Sequence, residues 1–359
     1  MHIPDGYLGP QTFLPAWGVM VAAWGTGMHR VRDRLRSGMV PLLALSAAFC
    51  FVIMMFNIPV PGGTTGHAVG AVLAAILLGP WAAMLAVSLA LILQAVLFGD
   101  GGITAIGANC LTMAVVMPFT GWGVYRLLTG RAPTPRRQWL AGAAAGYLGL
   151  NAAALLTSVL FGVQPLLAHD AAGHPLYCPF GLGIAVPAMM LEHLLFFGGV
   201  EAAVTGAALA WLRRVEPALL TAPAAAEPVP VTTGTPAAPR WHRLAWGIVI
   251  LALLSPLGLW LPMRFHAGAA WGEWSAEEIG QRLHHTPAGL ERLEALWRAP
   301  MPDYTLPGQE NAPLPRLSLH YVLAGLLGVG AAAALTAGLA KLLLHPRQKP
   351  LPAKPTTLA

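Results

Sequence analysis

The residues able to do chemistry stand at the start of the chain. Met1 and His2 offer an amine, a backbone nitrogen and an imidazole within one dipeptide. With the amide deprotonated, the amine, that nitrogen and His2 Nδ1 close a five-membered and a six-membered chelate ring, so three nitrogens share a plane. His67, at the end of Pro61-Gly62-Gly63-Thr64-Thr65-Gly66-His67, could complete a square. Four coplanar nitrogens suit nickel(II), copper(II) or low-spin cobalt(II), and suit magnesium, calcium or tetrahedral zinc poorly. The amine and amide lose protons to the ion, which reduces its charge at the site. Pro4 fixes the chain just beyond the chelate, while Gly6, Gly9 and Pro10 let the segment turn back. A single histidine beside a helix is usually an ordinary hydrogen-bonded polar residue; the pair, with a glycine-rich turn leading into one of them, is what points to a metal.

The amine is expected to be free. No basic stretch leads into an apolar core followed by a small-residue cleavage pattern, so nothing marks a removable signal. Methionine removal also needs a small second residue, and His2 is large.

The elements that position these groups follow from composition. The 359 residues are 56% hydrophobic and 10% charged, against roughly 25% charged in soluble domains. The chain therefore reads as an all-α polytopic membrane protein. Spans are expected at about 11 to 28, 38 to 56, 66 to 80, 81 to 98, 109 to 127, 138 to 162, 183 to 212, 244 to 262 and 318 to 341, with Gly79-Pro80-Trp81 as a hairpin. With the amino terminus outside, 16 of the 21 Lys and Arg fall on the inner side, as orientation requires. The other five lie in one outer loop, 263–317. The net charge of +6 is thus topological, and no nucleic-acid partner is implied. Cys50, Cys110 and Cys178 have no paired spacing and imply neither disulfides nor a zinc cluster.

Residues 215–240 carry six prolines and read as an extended cytoplasmic linker. They separate a seven-span unit, 1–214, from a two-span unit, 241–345, with a cytoplasmic tail at 346–359. In the outer loop, Ser275 and Glu278 form a capping box, and Thr286-Pro287 could open a helix with Leu290, Leu293 and Trp297 on one face. That loop is expected to be a small helical layer packed on something.

Met-His-Ile-Pro-Asp-Gly-Tyr-Leu at 1–8 and Gly-Gly-Thr-Thr-Gly-His at 62–67 resemble the two signatures of the CbiM/NikM family, the cobalt- and nickel-binding membrane subunits of energy-coupling factor transporters. The resemblance covers the seven-span unit. It implies that the Met1 amine, the His2 amide and imidazole, and His67 bind cobalt(II) or nickel(II) as the transported substrate. It makes Asn57 and Asn109 candidates for ordering the site. The two-span unit, with Trp271-Gly272-Glu273-Trp274 and Met301-Pro302-Asp303-Tyr304, is similar to the CbiN/NikN accessory subunit. The resemblance further implies a membrane-embedded coupling subunit and cytoplasmic ATPases in a prokaryotic plasma membrane; Ala44, Ala47 and Ala48 could meet that subunit. No Gly-x-x-x-x-Gly-Lys-Ser/Thr sequence is present, so a Walker-type ATP site is not expected in this chain.

Two other classes compete. A proton-coupled secondary carrier needs ionisable groups along several spans, and only Glu192, His193 and Glu201, on one span, and His67 are available. An intramembrane metalloenzyme needs more than the adjacent Glu192-His193, whose side chains diverge by about 100° on a helix.

Overall fold

A computed structural model describes residues 2–32, 39–60, 64–130, 134–221, 241–265, 267 and 270–344. Met1, Gly62, Gly63, the linker from 222 to 240, His266 and the tail from 345 lie outside these residues, as do the expectations attached to them.

In lipid a backbone satisfies its polar groups within its own helix, and this apolar chain is almost wholly helical. The helices are α1 (Pro10–Arg32), α2 (Val40–Met54), α3 (Ala71–Leu78) and α4 (Pro80–Leu93). They continue with α5 (Ile106–Asn109), α6 (Met117–Thr129), α7 (Pro135–Gly162), α8 (Gln164–Leu167), α9 (Leu182–Glu192), α10 (Gly198–Val215) and α11 (Ala218–Thr221). The C-terminal unit adds α12 (Trp241–Leu254), α13 (Leu257–Arg264), α14 (Ala276–Leu283), α15 (Ala288–Glu294) and α16 (Leu314–Leu344). Two-residue strands β1 (Ile58–Pro59) and β2 (Thr65–Gly66) pair antiparallel across the turn before His67.

Among the described residues, six helical segments are long and apolar enough to cross a membrane: Pro80–Phe98, Ile106–Thr129, Pro135–Leu167, Leu182–Val215, Trp241–Arg264 and Leu314–Leu344. Three of these pass through π-helical stretches, Gln94–Phe98, Cys110–Val116 and His193–Phe197. Such wide turns often sit at functional sites. Each of these begins beside a residue that braces the centre described below.

The structure departs from expectation in four places. The third span, expected over 66–80, is helical only over Ala71–Leu78, because the chain stays extended through Thr65–Gly66 and turns at Gly70 before the helix begins. The span expected at 244–262 breaks between Leu254 and Leu257, where Pro256 cannot donate a hydrogen bond to the helix ladder. The linker expected from 215 opens with a short helix, Ala218–Thr221, directly after Pro217; proline is tolerated at a helix start, where its missing N–H would have had no partner. Trp297 lies beyond the end of α15, so only Leu290, buried, and Leu293, half-buried, share the face expected of three. The capping box at Ser275 and Glu278 is present as expected.

Helix α2 packs against α4, α12 and α16, joining the two units in one core. Ala44, Ala47 and Ala48 are buried there. Their small size lets the chain's own helices approach, and these side chains are covered within the chain. Large apolar side chains on the outer faces of α7, α9, α12 and α16, such as Leu155, Leu191, Ile250 and Leu327, are exposed, as a lipid-facing belt requires.

Gly328 on α16 marks the tightest of these approaches. A Cβ placed there would stand 1.9 Å from Phe51 Cζ, and the Phe51 ring is fully buried against Phe98 and Tyr304. Gly328→Val is expected to cost about 1–3 kcal/mol through overpacking, read as a lower melting temperature in detergent, with a smaller fall for Gly328→Ala.

Candidate metal centre

Residues 2–8 form no helix or strand of their own, so other segments must hold their backbone. Asn109, at the end of α5, does most of this. Its Oδ1 accepts from Ile3 N at 2.9 Å and its Nδ2 donates to the Ile3 carbonyl at 3.1 Å. Gly102 N also donates to that carbonyl, at 2.9 Å. Asp5 accepts from Ile103 N at 2.9 Å and Thr104 N at 2.8 Å, and from the Thr104 hydroxyl. Cys178 N donates to the Tyr7 carbonyl and Gln164 Oε1 accepts from Gly9 N. Two glycines permit this closeness. A Cβ on Gly102 would lie 2.2 Å from Asp5 N, and Gly6, at φ +86°, sits with its α-carbon against the Leu290 backbone.

The second histidine is held from the long helix of α9 and α10. Thr64 N donates to Glu192 at 2.9 Å, and the Thr64 hydroxyl bonds the same carboxylate. Val69 N donates to Glu201 at 2.8 Å and Gly70 N at 3.3 Å. The two carboxylates thus grip the turn on either side of His67. Gly66 between them lies against the Phe197 ring, where any Cβ would collide. Glu192 and Glu201 therefore brace the turn that carries His67, and the neighbouring His193 Nδ1 faces the Met189 carbonyl at 2.8 Å.

These two scaffolds bring His2 and His67 together. Their rings stack with centroids 4.7 Å apart and planes at 21°, and both residues are buried. His67 Nδ1 lies 3.0 Å from the Ala68 carbonyl. A carbonyl only accepts, so Nδ1 carries the proton and Nε2 presents a lone pair. The Nε2 atoms of both rings are shielded and lack a hydrogen-bond partner.

Asp100, which sequence reasoning did not single out, is the third member. Its Oδ1 lies 2.8 Å from His2 Nδ1, the nitrogen expected to close the larger chelate ring. Burial opposes the charge on Asp100, but the adjacent His2 imidazole and the Tyr304 hydroxyl outweigh it and hold the carboxyl below its ordinary range. Only Gly101 and Gly102 after Asp100 hinted at a close approach; a lone aspartate after an apolar run reads as a turn.

The loop of the C-terminal unit between α13 and α16 packs directly on this centre. The Tyr304 hydroxyl donates to Asp100 and accepts from Gln94 Nε2 at 2.9 Å. Asp303 and Tyr304 adopt φ of +48° and +60° to deliver it, a costly conformation for residues with side chains. Met301 N donates to the Leu97 carbonyl at 3.0 Å. Glu273 accepts from the Thr65 hydroxyl and from Asn57 Nδ2 at 3.4 Å, so Asn57 reaches the His67 turn through Glu273. Burial raises the Glu273 carboxyl above its ordinary range. The Tyr7 hydroxyl is 2.7 Å from the Trp271 carbonyl and 2.8 Å from that of Trp274. Trp271–Trp274 thus lands on the segments that carry His2 and His67, and Met301–Tyr304 on the segment that carries Asp100.

Comparison with known proteins agrees with this layout. Residues 2–219 match a family model described as the CbiM cobalt uptake substrate-specific transmembrane region, and 242–345 match the PDGLE domain. The fused nickel transport protein NikMN of Rhodobacter capsulatus is 49% identical over 359 residues, covering 94% of this chain and 98% of that one. The probable fused nickel transport protein LarMN of Lactiplantibacillus plantarum is 42% identical over 92% of this chain and 94% of its own. A crystal structure described as a transition metal transporter superposes with a TM-score of 0.57 at 50% identity, over 60% of this chain and 93% of that one.

Asn109→Ala would strip both side-chain bonds from Ile3. The Ile3 carbonyl keeps Gly102 N, but the buried Ile3 N is left unpaired, which costs about 1–3 kcal/mol. Amide hydrogen exchange over residues 3–8 is expected to accelerate by at least about tenfold, while the core of α7 keeps its protection.

Proposed function

The chain belongs to the CbiM family, and on that premise we propose that it is the substrate-capture subunit of an ATP-driven importer of the energy-coupling factor type, taking up cobalt(II) or nickel(II). The observation that carries this is the pair of stacked, buried imidazoles of His2 and His67, each with an unpartnered Nε2. A shielded, unpartnered lone pair on His67 Nε2 is costly, and a metal substrate bound there offsets that cost.

The ligands are the Met1 amine, the His2 backbone nitrogen and imidazole, and His67 through Nε2. Closing the six-membered ring would break the His2 Nδ1–Asp100 contact and release its proton to solvent with those of the amine and amide, and the rings would turn from face-to-face stacking toward a shared plane. Asp100 then faces the added positive charge without entering the plane, and Tyr304 keeps it in place. A ligand braced by an outer hydrogen-bond partner is the usual arrangement at metal sites. Nitrogen donors in this number favour nickel(II) and cobalt(II) over harder ions.

In this reading the seven-span unit 1–214 carries the metal centre and 241–345 covers it. The His2 end faces outward. Arg30 and Arg32 at the end of α1, Arg136 and Arg137 at the start of α7, Arg213 and Arg214 at the end of α10 and Lys341 near the end of α16 cluster at the opposite end of the bundle, which supports that orientation. A membrane-embedded coupling subunit and cytoplasmic ATPases supply the movement that releases the ion inward.

His2→Ala, or a short extension ahead of Met1, is expected to lower nickel affinity by at least about a hundredfold in titrations of the purified chain, with insertion and melting temperature unchanged. Full affinity in the extended protein would remove the amine from the ligand set. Tyr304→Phe, which leaves Asp100 without its hydroxyl partner, is expected to weaken binding by about ten- to a hundredfold, since a hydrogen bond to a charged group is worth about 1.5–3 kcal/mol.

A further inference from the structure

Away from the buried centre, the loop between α8 and α9 forms a rigid hairpin. Asp170 N donates to the His174 carbonyl at 2.9 Å, Gly173 N to the Asp170 carbonyl at 3.1 Å, and His169 bridges to Pro175. Asp170 Oδ1 accepts from Ala172 N at 2.9 Å and His174 N at 2.8 Å, while Oδ2 faces His174 Nδ1 at 3.2 Å. Against this hairpin the C-terminal unit sets His285. His284 before it takes φ +54°, which turns the chain after α14, and the His285 ring stacks on His174 with centroids 4.3 Å apart and planes at 28°. Leu290 N donates to the Leu176 carbonyl at 3.0 Å and fastens the two loops together just beyond.

We propose that Asp170, His174 and His285 form a second site, for a divalent transition-metal ion of the nickel, cobalt or zinc class, built jointly by the two units. One ligand atom from each of the three residues lies within 4.8 Å of the other two. With bonds of about 2.0–2.1 Å, three ligands of one ion stand about 3.3–3.6 Å from one another, so atoms up to 4.8 Å apart close by about an ångström. His174, about half exposed, has room to make that movement. His285 Nε2 is shielded from solvent and lacks a hydrogen-bond partner, a cost that a metal bond relieves. Two imidazoles and a carboxylate are borderline donors that select transition ions over magnesium or calcium. Three protein ligands leave positions for water, so the ion stays exchangeable. The site shares no residue with the His2–His67 centre and does not depend on the reading given for it. An ion bound here would clamp the loop of the C-terminal unit between α13 and α16 to the hairpin, whose chain leads through Leu176 to Cys178 and its bond to Tyr7.

The test is calorimetric titration with nickel(II) chloride of the full chain in detergent, purified through a tag without histidine. The parent is expected to bind two ions, His2→Ala/His67→Ala one, and the same chain with His285→Ala none, or with affinity at least about tenfold weaker. His174→Gln alters an exposed ring, so it replaces His285→Ala should the latter unfold; it is expected to lose the same ion. A double variant that binds no nickel, or a His285 or His174 variant whose second ion is bound as in its parent, would overturn the proposal. If His2→Ala/His67→Ala kept two ions while the His285 variant lost one, the second site would stand and the reading of the buried centre would fail.

Discussion

Two imidazoles drawn from distant parts of the chain, pressed ring to ring with a nitrogen of each hidden from water and unpaired, set the terms for everything around them. Left alone, such nitrogens cost about 1–3 kcal/mol each, and the rings would separate into solvent or find carbonyls. They stay together because each is carried on a segment fixed at several points. Ile3 is bonded on both sides by Asn109, Asp5 is tied to 103–104, and Glu192 and Glu201 hold the His67 turn. The rigidity lies in the hydrogen bonds of loops, which is unusual for a protein whose bulk is helix packing. The helices supply the frame, and their π-helical turns begin at Gln94, next to Asn109 at Cys110, and next to Glu192 at His193.

The C-terminal unit is part of the same construction. Its loop contributes the Tyr304 hydroxyl to Asp100, the Glu273 carboxylate to Thr65 and Asn57, and two carbonyls to Tyr7. Unusual backbone at Asp303 and Tyr304 delivers the first of these. Burial raises the Glu273 carboxyl above its ordinary range, which leaves it responsive to any charge placed beside it. The fused unit therefore adjusts the electrostatics and order of the first unit's loops, with no need to contribute a ligand to the buried centre.

Much of this was legible in the sequence because its signals are local. A histidine second in the chain and a glycine-rich turn ending in another stand out by position, and Asn109, which the family resemblance offered as an ordering residue, makes two bonds to Ile3. What escaped was non-local. Asp100 looks like any aspartate closing an apolar run; its meaning comes from His2 and Tyr304, which are distant in sequence. Glu192 and Glu201 signalled function by lying within a span, yet their role is to hold a turn more than 120 residues earlier. The alanines of α2 show the converse. Small residues announce close helix approach without saying which helix, and here the partners lie within the chain. The short α3 escaped too, because apolar composition continues through 68–70 while Gly70 turns the backbone.

The coordination shell itself is the most direct measure of the central claim. X-ray absorption at the metal edge of the His285→Ala chain, beginning at Met1 and loaded with one equivalent of nickel, should show a four-coordinate, planar, all-nitrogen shell with the outer scattering of imidazole. A six-coordinate shell dominated by oxygen, without imidazole scattering, would contradict it.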